Sequence, residues 1–166
     1  MTQVASVRAG VRASRAAATS VSRPGVLAAA GVSLLAGWVH LADTSSHLRA
    51  WWAYGAFFLV VGLGQGLLAA ALLRWPRPVV AIAGIAGNLG VVMMYVVTRS
   101  GGIPLGPHKG VVEKATTIDL LTTAGEIVVI VLLLAMLGRT ACRVTVNVLL
   151  VCGALLWAGR LTDTLP

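Results

Sequence analysis

The sequence predicts an all-α integral membrane protein, a helical bundle of five transmembrane helices or, as the alternative, of four. Hydrophobic residues make up 58% of the 166-residue chain and charged residues 11%, and a soluble domain of this size could not bury so much apolar surface. The apolar residues fall in five runs, each near the roughly 20 residues that a helix needs to cross about 30 Å of hydrocarbon. These runs lie at 25–43, 51–73, 78–97, 117–138 and 144–161. The last run is the weakest, because it is short and ends at Arg160, and only four spans remain if it lies in the membrane interface.

The segments outside the spans are basic at the N-terminus and short at the C-terminus. Residues 1–24 hold four arginines and no acidic residue, and they end at Pro24. They lack the short apolar core and the cleavage site of a secretory signal peptide. We therefore expect a cytoplasmic tail that is disordered or lies on the anionic membrane surface. Residues 25–161 then form one transmembrane domain, and residues 162–166 form a second tail.

Basic residues predict the orientation, because arginine and lysine in short loops are retained on the cytoplasmic side of the membrane. With the N-terminus inside, eight basic residues fall on the cytoplasmic side and five on the other. The cytoplasmic eight are Arg8, Arg12, Arg15, Arg23, Arg74, Arg77, Arg139 and Arg143. The other five are Arg49, Arg99, Lys109, Lys114 and Arg160. With five spans, the C-terminus lies outside.

The net charge of +8 does not predict binding to nucleic acid, which needs basic residues clustered on a soluble, folded face. Here the basic residues are scattered between apolar runs, so their expected partner is a lipid bilayer with anionic headgroups. Cys142 and Cys152 have no metal-ligand spacing, and we interpret both as small, reduced hydrophobic residues.

The connection at 98–116 is rich in glycine and proline and is longer than most connections between helices. Its composition rules out a continuous helix. Three closely spaced Gly/Pro pairs favour a shaped cap over the extracytoplasmic ends of the helices. The alternative is a disordered linker.

Glu126 is the clearest candidate functional residue, because ionisable groups inside a membrane are costly and usually face the interior of the bundle. Asp119, Thr122, Thr123 and Glu126 have the spacing i, i+3, i+4, i+7, which places them on one face of a helix. Glu126 lies near the middle of its span. It must therefore be protonated, paired with Arg99 or a histidine, or bound to a cation.

The first span offers candidate metal ligands at the same predicted depth. His40 and Asp43 are i, i+3 neighbours, and His47 lies one turn further if the helix continues through Thr44-Ser45-Ser46. Imidazoles and carboxylates are the ligands of zinc, iron, copper or manganese, so His40, Asp43, His47 and Glu126 form a candidate site for a divalent metal ion. The alternative is that both histidines lie in the interface and bind headgroups and water.

Four further residues complete the candidate ligand-binding set around Glu126 and Asp119. They are Gln65, Asn88, Tyr95 and Arg99. Gln65 and Asn88 are deep amides that could line a cavity, or could hydrogen-bond across helices and only stabilise packing. Arg99 could lie in the interface, or could pair with Glu113, Asp119 or an anionic group of a substrate.

The order of these residues resembles a family of small multi-pass membrane proteins of high-GC Gram-positive bacteria, over about residues 35–135. The resemblance rests on His-x6-His from His40, on Trp-x2-Tyr-Gly-x-Phe-Phe followed by Gln65, on Asn88, on Arg99-x-Gly-Gly-x-Pro-x-Gly-Pro, and on the two carboxylates of span four. It implies no activity. It implies only that these residues belong together and that the protein lies in a bacterial plasma membrane.

Three functional hypotheses follow from this pattern. The first is a membrane protein whose outward-facing polar cavity binds, and in one version transports, a metal ion or a small polar or cationic ligand. The second is a membrane-embedded hydrolase that uses a metal to activate water. The third is a structural or accessory subunit of a larger membrane complex, or a homo-oligomer. The sequence leaves open whether the protein is an enzyme, and identifies neither ligand nor substrate.

A reporter fused after Pro166 tests the predicted topology. Arg139 and Arg143 hold the preceding turn in the cytoplasm, so a reporter active only outside the cytoplasm should be active at this position. The control is the same reporter fused after Arg77, where it should be inactive. A cytoplasmic signal at Pro166 would mean that residues 144–161 do not cross the membrane.

Overall fold

The protein is all-α, as the sequence predicts. The structure is a computed structural model that describes residues 22–161, and this part of the chain contains no β-strand. It contains five helices: α1 (Arg23–Ala50), α2 (Trp52–Arg74), α3 (Pro78–Ser100), α4 (Thr117–Met136) and α5 (Arg139–Leu161). Of the predicted tails at 1–24 and 162–166, residues 1–21 and 162–166 lie outside the described residues, whereas Arg23 and Pro24 belong to α1.

The first four helices, α1 to α4, are each long and apolar enough to cross a membrane. They confirm the prediction of a polytopic helical membrane protein. α5 is a helix of 23 residues that contains the predicted fifth span. Its crossing of the membrane, and with it the external C-terminus, stays a prediction.

α1 is longer than the predicted span, since it continues beyond residue 43 to Ala50. The Thr44 hydroxyl donates to the carbonyl of His40 (2.9 Å), and the Ser46 hydroxyl donates to the carbonyl of Asp43 (2.7 Å). These polar side chains bind their own helix and do not turn the chain away from it. Only Trp51, in an extended conformation, separates α1 from α2.

The four helices α1 to α4 form one compact unit, and α5 belongs to a second. α1 packs along α2, α3 packs along α4, and α1 also packs on α4, whereas α2 and α3 touch over a smaller area. α1 therefore contacts both the next helix in the chain and the last helix of the unit. This arrangement brings the polar residues of span one beside those of span four.

Glycine allows the close approach of α1 to α2. A Cβ atom on Gly62 would lie 2.7 Å from the Leu41 side chain and 3.0 Å from the carbonyl oxygen of Gly37. At Gly64, one half-turn away on the same helix, a Cβ atom would meet nothing within 4 Å. Helices in membranes associate through such small residues, because lipid is as apolar as their side chains and only close packing favours the contact.

Substitution of Gly62 and of Gly64 by valine tests this contact. Gly62→Val should destabilise the purified protein by about 1–3 kcal/mol, because the new side chain forces α1 and α2 apart. Gly64→Val introduces the same side chain into open space and should leave the unfolding transition nearly unchanged. Unfolding in detergent, followed by circular dichroism, measures both. Equal effects of the two substitutions would contradict the assigned helix contact.

Candidate functional site

The polar side chains inside the four-helix unit form three groups at successive depths. The amide layer consists of Ser33, Gln65 and Asn88. The His40–Glu126 pair lies seven residues further along α1 than Ser33. The Arg99 cluster, which consists of Arg99, Glu113 and Asp119, lies beyond the pair in the same direction. Seven residues of helix span about 10 Å at about 1.5 Å per residue, so each group occupies its own level of the bundle.

The amide layer joins α1, α2 and α3 through side chains that satisfy one another. The Ser33 hydroxyl lies 2.6 Å from Oε1 of Gln65, and Nε2 of Gln65 donates to Oδ1 of Asn88 at 2.9 Å. Nδ2 of Asn88 donates to the carbonyl of Gly84, one turn earlier on α3 (2.8 Å). All three side chains are buried. Of the two interpretations of Gln65 and Asn88, this geometry favours hydrogen bonding across helices over the lining of a cavity.

His40 and Glu126 form the most buried ionisable contact in the part of the chain that the structure describes. Nε2 of His40 lies 2.9 Å from Oε1 of Glu126, and the side chains are 9% and 1% exposed. The pair connects α1 to α4. The sequence left open whether Glu126 is protonated, paired with Arg99 or a histidine, or bound to a cation. In the structure, Glu126 pairs with a histidine.

An aromatic side chain of α2 lies beside the pair. The rings of Phe58 and His40 meet edge to face with centroids 5.6 Å apart, and the ring of His47 stacks on Phe58 at 3.7 Å. His40 is thus held between a carboxylate and an apolar ring. Nδ1 of His40 is buried and has no hydrogen-bond partner among the residues that the structure describes.

Of the four candidate metal ligands, the structure brings together only His40 and Glu126. Nδ1 of His47 lies 2.9 Å from the backbone carbonyl of Asp43, and its ring is held by Phe58. Within the described residues, no group of three or more His, Cys, Asp or Glu side chains is placed to hold a metal ion. The continuous helix α1 puts His47 one level further along the bundle than His40.

The Arg99 cluster ties α3, the loop at 101–116 and α4 together. Nη1 of Arg99 donates to Oε2 of Glu113 at 2.7 Å, and Nη2 donates to Oδ2 of Asp119 at 2.9 Å. The guanidinium carbon lies 4.5 Å from the centroid of the Tyr95 ring, a cation–π contact. Of the roles considered for Arg99, the structure shows pairing, and with both Glu113 and Asp119.

Asp119 also begins α4. Its Oδ2 accepts a hydrogen bond from the backbone amide of Thr116 at 2.9 Å, and its own amide donates to the Thr116 hydroxyl at 3.2 Å. This reciprocal arrangement satisfies backbone amides that the first turn of a helix leaves without partners. The carboxylate of Asp119 therefore fixes the start of the helix and the position of Arg99 together.

Backbone hydrogen bonds fold the loop after α3 back on itself, and whether it caps the extracytoplasmic ends of the helices stays a prediction. The amide of Ile103 donates to the carbonyl of Val111 (2.9 Å), and the amide of Gly110 donates to the carbonyl of Ile103 (2.8 Å). Further on, the amide of Glu113 donates to the carbonyl of Thr98 (3.0 Å), which closes the loop onto the end of α3.

The middle of the loop rests on the start of α2. The Tyr54 hydroxyl donates to the carbonyl of Leu105 at 2.7 Å and accepts a hydrogen bond from the amide of His108 at 3.4 Å. Gly106 has φ +84°, and a Cβ atom there would lie 2.6 Å from the Trp51 ring. Glycine is required here both for the left-handed backbone and for the close contact.

Two residues of the site were not among the sequence candidates, namely Ser33 and Phe58. Ser33 precedes His40 by seven residues, a spacing that returns to the same helix face after two turns, so the helical period was a usable signal for it. Phe58 ends the Trp-x2-Tyr-Gly-x-Phe-Phe segment that contributes to the family resemblance, but that pattern gives no role to this ring. Its position beside His40 depends on how α1 packs against α2.

Comparison of the chain with known protein families, with curated proteins and with solved structures found no match. The functional argument therefore rests on the geometry of the chain itself.

A lysine-specific protease can test whether Arg99 holds the loop. The only two lysines of the chain, Lys109 and Lys114, both lie in this loop. Arg99→Gln removes both ion pairs and should speed cleavage about fivefold, since partly exposed ion pairs contribute up to roughly 1 kcal/mol each and cleavage follows the open population.

The matched control is Arg49→Gln, at an exposed arginine at the end of α1. Its cleavage rate in the folded, detergent-purified protein should equal that of the parent chain. Equal rates for Arg99→Gln and the parent chain would show that the cluster does not secure the loop.

Proposed function

We propose that this protein binds a small cation or cationic ligand inside a membrane-spanning helical bundle, in the half of the bundle that contains the His40–Glu126 pair and the Arg99 cluster. The observation that carries the proposal is an excess of carboxylates over cations among the buried and half-buried groups there. Glu113, Asp119 and Glu126 are three carboxylates, and within the described residues Arg99 is the one guanidinium that pairs with any of them.

This excess of negative charge is costly in a membrane, where burial disfavours charge that is not compensated. Arg99 already shares its two amino groups between Glu113 and Asp119. Glu126 has His40 as its partner, and a neutral imidazole compensates none of its charge. A bound cation would supply the missing positive charge, whereas a bound anion would increase the imbalance.

A small organic or monovalent cation fits these side chains better than a resident divalent metal. Zinc in proteins takes three or four protein ligands at about 2.0–2.3 Å. The described residues offer the His40–Glu126 pair but no group of three or more candidate ligands. The metal-assisted hydrolase hypothesis needs the same set of ligands and so receives no support from the geometry.

The proposed location is the plasma membrane of a bacterium, as the family resemblance implies. Apolar helices and basic cytoplasmic segments are what such a membrane requires. Transport is an extension of the proposal. It requires that reconstituted vesicles accumulate the cation, and in so small a bundle it requires an oligomer.

A second candidate function, an accessory subunit of a larger membrane complex, is favoured by the surface of the loop. Leu105, Val111 and Val112 are 66%, 53% and 54% exposed, although the loop around them is ordered. Apolar side chains held at the surface of an ordered loop are typical of a contact with a partner or a lipid interface. Co-purification of a stoichiometric partner that Leu105→Ser abolishes would support this function.

Cation binding is tested by thermal unfolding of the purified protein in chloride salts of sodium, potassium, ammonium, methylammonium and zinc. At a concentration of about 100 times its dissociation constant, a bound cation should stabilise the protein by about 2.7 kcal/mol. Glu126→Gln keeps the shape of the side chain and removes its charge, so the stabilisation should disappear.

The matched control is Asp163→Asn, which removes a carboxylate that lies outside the apolar runs of the sequence. Its response to the cation should equal that of the parent protein. The proposal is wrong if none of the five salts stabilises the protein, or if Glu126→Gln responds as the parent protein does.

A further inference from the structure

Two buried polar atoms of the site have no hydrogen-bond partner within the described residues, Nδ1 of His40 and Nε of Arg99. The His40 side chain is the more deeply buried of the two, and its free nitrogen identifies where a ligand would bind. Nδ1 of His40 makes no hydrogen bond to any residue in the described part of the chain, although the side chain is only 9% exposed. A buried nitrogen without a partner costs about 1–3 kcal/mol, so such atoms are rare and call for an explanation.

The proton of the pair can be placed in three ways. If Nε2 of His40 carries it and donates to an ionised Glu126, Nδ1 is a free acceptor and the pair has a charge of −1. If the imidazole is doubly protonated, the pair is neutral but the Nδ1–H lacks an acceptor. If Glu126 is protonated and donates to Nε2, the pair is neutral and the Nδ1–H again lacks an acceptor. In every state, something is missing at Nδ1.

The charges of the surrounding groups limit what can bind at Nδ1. On α4, Asp119 lies two turns from Glu126, and it belongs to a cluster with two carboxylates and one guanidinium, that of Arg99 on α3. α2 contributes the apolar ring of Phe58. α1 contributes Asp43 and His47, one and two turns beyond His40. The nearby charge is negative overall, which favours a cation at Nδ1 over an anionic acceptor.

We propose that Nδ1 of His40 accepts a hydrogen bond from an ammonium group, and that Glu126 is a positioning residue that acts through the imidazole. The inference deepens the proposed function and rests on it. An ionised Glu126 accepts from Nε2–H, fixes that tautomer and directs the lone pair of Nδ1 towards the ligand. Carboxylates orient histidine ligands of metals in the same way.

An N–H cation is the ligand class that supplies both missing elements, a hydrogen-bond donor and a positive charge. A neutral donor would leave the charge of Glu126 uncompensated. A quaternary ammonium has no N–H bond, and it is usually recognised by open aromatic faces, whereas His47 covers one face of Phe58. The ligand is therefore the ammonium ion or a small primary alkylammonium.

The first measurement is nitrogen NMR of protein labelled with ¹⁵N-histidine, titrated with chlorides of ammonium, methylammonium and tetramethylammonium. The chain has three histidines, and the spectrum of His40→Gln assigns the His40 signals. Ammonium or methylammonium should shift the Nδ1 signal of His40 and leave Nε2 protonated. Tetramethylammonium should not shift it. The titration itself uses the parent protein, and the spectra of His47→Gln and His108→Gln also identify the His40 signals by elimination. The measurement therefore decides the inference even if His40→Gln fails to fold.

The second measurement compares the affinity of variants for methylammonium and for ammonium. His40→Gln keeps an amide N–H that can donate to Glu126 but lacks the Nδ1 acceptor, so binding should weaken about 10- to 100-fold, as expected for one hydrogen bond to a charged group. His108→Gln, at the exposed histidine of the loop, is the matched control and should bind as the parent protein does. In Glu126→Gln, the His40 signals should also show loss of the single tautomer.

The outcomes separate the inference from the proposed function. Binding of tetramethylammonium as tight as that of methylammonium, or unchanged binding in His40→Gln, overturns the role of Nδ1 and leaves cation binding intact. Binding of sodium, potassium or zinc without binding of either N–H cation does the same. Failure of all of these salts to bind overturns both.

Discussion

The contact between His40 and Glu126 is the constraint on which the rest of the site depends. A carboxylate that is 1% exposed in an apolar bundle has to have a partner, and the partner here comes from the first helix of the unit while the carboxylate comes from the fourth. The pair therefore joins the two ends of the four-helix unit. The ring of Phe58 on α2 also contacts His40. Three helices therefore fix the position of the His40 imidazole.

The two deeper polar groups differ in one physical respect that separates structure from function. In the amide layer, the side chains of Ser33, Gln65 and Asn88 bind one another, and the layer needs no further molecule to be stable. At His40, by contrast, one ring nitrogen binds Glu126 and the other has no partner among the residues that the structure describes. Complete hydrogen bonding indicates a packing role. The free nitrogen of His40 is the observation on which the proposed cation site rests.

The Arg99 cluster connects the site to the loop above it. Asp119 has two roles, because it caps the start of α4 and binds Arg99. It also lies on the same face of α4 as Glu126, two turns away. Glu113, which belongs to the loop, accepts a hydrogen bond from the same arginine. A change in the charge of this cluster would therefore act on the loop and on the electrostatic environment of Glu126 together. This coupling follows from one guanidinium that holds two carboxylates on different segments.

The sequence by itself determined the fold class and the four long apolar helices, because hydropathy and helical period are local properties that a single segment displays. It also made Glu126 the leading candidate for a functional residue. It also suggested that Arg99 could pair with Glu113 or Asp119. Only the tertiary structure decided that Glu126 pairs with His40, that Gln65 and Asn88 bind each other, and that His47 stacks on Phe58 away from the pair. The reason is physical. These contacts depend on which helices are neighbours and at what level they cross, and close packing between distant segments, such as that at Gly37 and Gly62, fixes both.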